Sequence, residues 1–267
     1  MSGIKEFFKG FLLNLQFFTA LPINIPLPMD KKHLNNSIKS FPLVGLLQGI
    51  LYSVVLYLLI NWTPFSILAI AFVIWLLAIL ITGGLHLDGW MDASDAYFSY
   101  QSKDRRLEIM KDSRIGAFGV LSVIVLLSAR FLFIYEIITY MKGETYLLIA
   151  FLPFLSKGIM GMVLVTVPTA KEDGLAHLFQ EAGNRRSLVV YPIYLIFVVS
   201  VMLYQWMEGF IPAMTLLIIA IGCYFLIRVK AVKWFGGITG DVLGASVEGT
   251  EIGLWMTLWL LHYFAMA

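Results

Sequence analysis

Seven apolar stretches recur along this chain, each near the roughly 20 residues that an α-helix needs to cross the hydrocarbon of a bilayer. They run near Phe41–Asn61, Pro64–Gly84, Ile115–Met141, Tyr146–Pro168, Leu188–Trp206, Phe210–Val229 and Val242–Ala265. Backbone groups inside lipid must pair within their own segment, so such runs read as helices. In a chain of 267 residues they leave little for a separate soluble domain, and the expected fold is an all-α integral membrane protein: one polytopic helical bundle over residues 1–267. Composition agrees, because 13% charged residues are too few to wet the surface of a soluble domain.

The loops alternate in charge. Of the 19 Lys and Arg residues, 16 fall in one set of loops, Lys142 alone lies in the other, and Arg130 and Lys157 sit inside spans. Basic loops stay on the cytoplasmic side. Residues 1–40 and the loops at 85–114, 169–187 and 228–240 are therefore expected in the cytoplasm and the C-terminus outside, in the cell (inner) membrane. Ahead of the spans, Ile4, Phe7, Phe8, Phe11, Leu12, Leu15 and Phe18 repeat at helical spacing up to Pro22. That is the pattern of an amphipathic interfacial helix on the lipid surface, with a short first span as the alternative. No small-x-small cleavage site follows it, so no leader is expected to be removed.

Other function classes are excluded on simple grounds. A net charge of +2 with scattered basic residues does not suit a nucleic-acid partner. Cys223 is the single cysteine, which rules out an intrachain disulfide and a thiolate metal cluster. Gly45 and Gly49 form a G-x-x-x-G pair that lets two helix backbones approach closely, inside the bundle or in a homo-oligomer.

The stretch from Gly83 to Gly119 carries the chemistry. Asp88, Asp92 and Asp95 stand at i, i+4 and i+7, on one helical face. Three carboxylates so close repel unless a cation holds them, and oxygen ligands alone favour a hard ion such as Mg²⁺, which shares substrate phosphates. Lys111, Asp112, Ser113 and Arg114 follow: Arg forks onto phosphate oxygens and Lys adds a point charge. Arg105 fits the same substrate-binding role less specifically. Histidine ordinarily accepts a proton near neutrality, which makes His86 a candidate general base, with a structural histidine as the alternative. A second acidic group, Asp241, Glu248 and Glu251, enters the last span after Gly236, Gly237 and Gly240. Carboxylates at such depth are functional or paired. Asp241 is read as part of the site, Glu248 as a substrate contact, and either Glu248 or Glu251 as a partner of Arg130 or Lys157.

The chain resembles the cobalamin synthase family, the adenosylcobinamide-GDP ribazoletransferases. FFTALPINIP at Phe17 and FPLVGLLQG at Phe41 are similar to its opening segments, GGLHLDGWMDASDA and LEIMKDSRIGAFG to its central signature, and GGITGDVLGASVE to its closing one. The resemblance implies a Mg²⁺-dependent enzyme that joins α-ribazole, or its 5′-phosphate, to adenosylcobinamide-GDP and releases GMP. It carries the acidic signature onto Asp88, Asp92 and Asp95 with His86 ahead of them, the basic one onto Lys111, Asp112, Ser113 and Arg114, and the closing Gly-Asp onto Gly240 and Asp241. The chain departs at Lys157 and Lys171, where the family often has arginine.

Two other readings stay open from residues alone. A CDP-alcohol phosphatidyltransferase also clusters aspartates in membrane helices, but its D-G-x-x-A-R continuation is absent after Asp88-Gly89. A secondary transporter would string Arg130, Glu136, Lys157, Glu248 and Glu251 along an ion path.

Overall fold

The computed structural model describes residues 2–112 and 114–266, which form helices joined by short connections, with no strand among them. The helices are α1 (Ser2–Phe18), α2 (Lys31–Trp62), α3 (Ile67–Thr82), α4 (Leu85–Phe98), α5 (Lys103–Ile109), α6 (Ala117–Thr139), α7 (Thr145–Thr166), α8 (Gly174–Ala182), α9 (Val190–Gln205), α10 (Phe210–Phe235) and α11 (Gly240–Phe264). The protein is an all-α, multi-pass membrane bundle. Five of its helical segments are long and apolar enough to cross a bilayer alone, and a sixth span arises if the bent pair α3 and α4 is counted as one. The seventh expected span, α11, has 25 residues, about 37 Å at 1.5 Å per residue. Asp241, Glu248 and Glu251 lower its hydropathy, and a helix can carry them because it is surrounded by protein: Glu248 and Glu251 are buried against α6 and α7.

α2 begins ten residues before the expected span. The sequence placed residues 31–40 in a cytoplasmic segment, whereas Asp30 caps the helix at Lys32 and His33 and the helix runs straight through Pro42. A proline inside a helix leaves the carbonyl four residues earlier without its donor. Here the Tyr191 hydroxyl donates to that Ile38 carbonyl at 2.6 Å. Gly161 makes room for it, since a Cβ there would fall 2.0 Å from the Tyr191 oxygen.

α2 and α7 form the tightest seam. A Cβ on Gly45 would lie 2.1 Å from the Pro153 carbonyl oxygen, and one on Gly49 would lie 2.2 Å from that of Ala150. The G-x-x-x-G pair is therefore spent inside the bundle. α7 is buried almost all round and packs on α2, α10 and α11, and α11 in turn packs on α4, α6 and α10. The N-terminal helix is amphipathic as expected, with one face docked on the start of α2: Asn14 donates to the Ser37 carbonyl and to Ser40 Oγ, and Leu13 and Leu15 are buried. Ile4 and Phe8 face outward.

Candidate active site

The site gathers at the face of the bundle that carries the basic loops. α3 stops there at Gly83 and Gly84, whose φ values of 60° and 78° are left-handed and favour glycine. The turn sends α4 off at 85° to α3 and across the starts of α6 and α11. Glycines set the contact distances: a Cβ on Gly89 would lie 2.7 Å from the Asp241 carbonyl oxygen, and one on Gly119 would lie 2.8 Å from that of Met91.

This crossing brings the carboxylates of two distant segments together. Asp88 is exposed while Asp92, Asp95 and Asp241 are half-buried. Burial, then the charges of Asp88, Asp241 and Asp95, push the Asp92 carboxyl up to about 6. Asp241 thus shares the electrostatic field of the α4 triad, which its position 149 residues after Asp92 hides in the sequence. Asp95 has a further task. Its carboxylate accepts the Gly119 N–H at 3.4 Å and packs on Gly116, the residue capping α6. Gly116 has no side chain to cap with, so Asp95 serves the α6 N-terminus from the neighbouring helix.

Among the described residues no three His, Cys, Asp or Glu side chains converge as an assembled ion shell. The donor set nonetheless fits a hard divalent cation. It is made of carboxylate oxygens alone, crowded enough to raise one of their own, and among the described residues neither Asp88, Asp92 nor Asp241 has a Lys or Arg within ion-pair distance.

Basic side chains flank the carboxylates through a backbone clasp. Ala170 N–H donates to the Ile238 carbonyl and Ile238 N–H to that of Pro168, both at 2.9 Å. A Cβ on Gly237 would fall 2.3 Å from the Pro168 oxygen, so only glycine permits this approach. The clasp holds the loop after α7 against the loop before α11. As a result Lys111 and Lys171 share a cleft of about 120 Å³ with Thr239, Gly240 and Asp241. Lys171 donates to the Leu107 carbonyl at 3.1 Å, and burial and then the Lys111 charge hold its pKa below the ordinary lysine value. Lys111 pairs with Asp173 at 3.7 Å. Sequence reasoning left Lys171 without a role; its signal was the cationic position it shares with the family's arginine.

Other candidates stand apart from this cluster. Arg114 is spent on Asp112 in an exposed pair at 2.6 Å, whose hydrogen bonds hold the Asp112 carboxyl down at about 2. Arg105 is exposed and pairs with Glu108 on its own helix. Its neighbour Arg106 turns inward instead, donating to the Trp234 carbonyl at 3.2 Å and lying 5.5 Å from the Tyr97 ring centroid. Glu248 pairs with the buried Arg130 inside the bundle, and Glu251 accepts from Ser156 at 2.8 Å. Ser113 lies outside the described residues.

His86 is buried, and its Nε2 lies at hydrogen-bond distance, 2.6 Å, from Lys157 Nζ while its ring stacks on Phe18. The nitrogen that a general base would use is already occupied. His86 lines, with Asp88 and Asp241, a cavity of about 310 Å³ between α1, α2, α4, α7, α8 and α11.

The model of the family described as cobalamin-5-phosphate synthase matches residues 10–259. The chain belongs to that family. It is 39% identical over 270 residues to the adenosylcobinamide-GDP ribazoletransferase of Geobacillus sp. (strain WCH70), covering 98% of this chain and 100% of the relative. The protein of that name from Clostridium botulinum (strain Alaska E43 / Type E3) is 36% identical over 252 residues, 94% of this chain and 97% of its own. No solved structure matches. Family membership makes the chain a membrane transferase of cobalamin biosynthesis, and it selects this reading over the phosphatidyltransferase and the transporter.

Proposed function

We propose that this member of the family transfers α-ribazole, or its 5′-phosphate, onto adenosylcobinamide-GDP with release of GMP, at a Mg²⁺-dependent site on the cytoplasmic side of the cell (inner) membrane. The observation that carries the proposal is the meeting of Asp88, Asp92 and Asp241 with Lys111 and Lys171 at one face, an arrangement suited to a diphosphate and its counter-ion. Asp88 and Asp92 would hold the ion, with Asp241 and Asp95 beside them. When bound, Mg²⁺ supplies charge neutralisation at the diphosphate.

The chain's own residues supply the rest. Lys111 and Lys171 share the negative charge on the phosphates, as cations do in phosphoryl transfer generally. The ribose oxygen of α-ribazole forms a new bond to the phosphorus next to the corrinoid. The bridging P–O bond breaks, and GMP departs with its electron pair. Asp241, lining both the cleft and the larger cavity, accepts the hydroxyl proton, since His86 Nε2 is committed to Lys157.

Product mass tests this directly: purified protein with adenosylcobinamide-GDP, α-ribazole and Mg²⁺ should yield GMP and the joined corrinoid phosphodiester. Asp88→Asn and Asp92→Asn should each cut turnover by about a few hundredfold or more and raise the Mg²⁺ requirement. Asp104→Asn, in an exposed first turn of α5, should change little. Full turnover with unchanged Mg²⁺ dependence in both the Asp88 and Asp92 variants would refute the assignment.

A further inference from the structure

The cavity beside Asp88 and Asp241 has a composition that the phosphate chemistry does not use. Its volume of about 310 Å³ stands at the small end of ligand pockets, too little for a corrin ring with its side chains. The walls are the rings of Phe17, Phe18, Phe41 and Phe179, together with Met160, Leu164 and other apolar groups. His86 is the one polar side chain in that wall besides the two carboxylates at its edge. With Nε2 engaged by Lys157, the Nδ1–H tautomer of His86 leaves that N–H without a hydrogen-bond partner among the described residues. The cavity therefore offers aromatic faces and edges, a methyl-sized apolar lining and one hydrogen-bond donor.

We infer that this cavity is the pocket for the aromatic base of α-ribazole, with His86 Nδ1–H donating to the free ring nitrogen and Lys157 acting as the positioning residue that fixes the histidine tautomer. The inference rests on the proposed function and adds where one of its two substrates sits. Dimethylbenzimidazole is flat and bicyclic, carries two methyl groups and keeps one ring nitrogen lone pair, so it matches each of those features. Guanine does not: its carbonyl, amine and ring N–H groups would be buried without partners, at a cost the apolar wall cannot return. The nucleotide end of the activated corrinoid is thereby left to the basic cleft. A base held in this cavity has its ribose at the Asp88 and Asp241 edge, where the new bond forms.

The test uses the full-length protein in detergent or proteoliposomes and reads KM for each substrate separately. In wild type, the α-riboside of unmethylated benzimidazole should show a KM about tenfold above that of α-ribazole, from two lost methyl contacts. The α-riboside of adenine, with an unpaired amine, should lose about tenfold or more. Ala176→Leu, which fills the cavity from α8, should raise the α-ribazole KM about tenfold while the corrinoid KM stays within about twofold. Lys157→Met should raise the α-ribazole KM selectively, while the corrinoid KM stays within about twofold. Equal KM values across the three ribosides, in an enzyme that releases GMP, would overturn the pocket and leave the proposed function standing. A wild type that releases no GMP would sink the proposed function itself, and saturable binding of tritiated α-ribazole, abolished by Ala176→Leu, would still decide the pocket. If Ala176→Leu fails to fold, the riboside series on wild type decides alone.

Discussion

Removing one member of the Arg130–Glu248 pair should be among the most damaging single changes outside the site. Arg130 is 1% exposed and Glu248 is 3% exposed, and they are joined directly between α6 and α11. Glu248→Gln leaves a guanidinium in a dry interior with only the more distant Glu251 to answer it; Arg130→Met leaves a carboxylate in the same position. Breaking a buried pair from one side costs about 3–5 kcal/mol, because desolvation is already spent and the Coulomb return is gone. Replacing both partners by apolar groups removes the charges together, so Arg130→Met with Glu248→Leu should fall within about 1 kcal/mol of wild type. Independent effects would instead sum to about 6–10 kcal/mol. Reversible unfolding in mixed micelles, by circular dichroism against denaturing detergent, measures all four corners of the cycle. Losses that simply add would refute the reasoning, since they would mean that the two charges do not compensate each other. Activity is a second readout: a double variant that folds and still releases GMP also shows that neither charge contacts substrate.

Gly161→Ala should push the Tyr191 hydroxyl off the Ile38 carbonyl and cost about 1–3 kcal/mol, and adding Tyr191→Phe should lose clearly less than the sum when unfolding is compared. Asp95→Ala should destabilise by about 1 kcal/mol through the uncapped α6, while Asp95→Asn, which keeps an acceptor oxygen, should lose less activity than Asp88→Asn in the GMP assay. With Cys223 replaced by Ser, a cysteine at Ser102 should react with a membrane-impermeant thiol reagent only from the cytoplasmic side and one at Glu208 only from outside; the reverse pattern would invert the topology. Gly49→Leu should destabilise the monomer through the Ala150 backbone without changing its mass by light scattering, because the glycine pair is used within one chain.

The helices and the acidic face of α4 were legible because both rest on short-range periodicity: apolar runs of span length, and Asp88, Asp92 and Asp95 at helical spacing. What stayed hidden depends on partners far along the chain. The apolar run near Phe41–Asn61 does not show that the helix begins ten residues earlier, and Tyr191, 149 residues after Pro42, is what answers the carbonyl that the proline leaves free. Asp95 reads as a third ligand, whereas its capping of α6 depends on a crossing of helices that no local pattern encodes. Lys171 could not be joined to Asp241 until the clasp of Pro168 and Ala170 with Ile238 closed. The Arg130–Glu248 pairing was expected as one of four combinations, and burial at matching depth selected it. Lys157 went to His86, a partner outside the acidic pool that was weighed for it.

The polar first half of α11 also sets an order of events during synthesis. The chain emerges from its N-terminus, so α6 and α7 enter the bilayer while α11 is still unmade. Each brings in a basic group, Arg130 or Lys157, that costs about 2.5–3.5 kcal/mol near a helix centre. Glu248 arrives 118 residues after Arg130, and until then the guanidinium has no counter-charge. α11 is not among the helices apolar enough to span alone, and pairing of Glu248 with Arg130 lowers the cost of its entry. A chain halted before Gly240 therefore lacks Asp241 and leaves Arg130 in the membrane without the carboxylate that pairs with it.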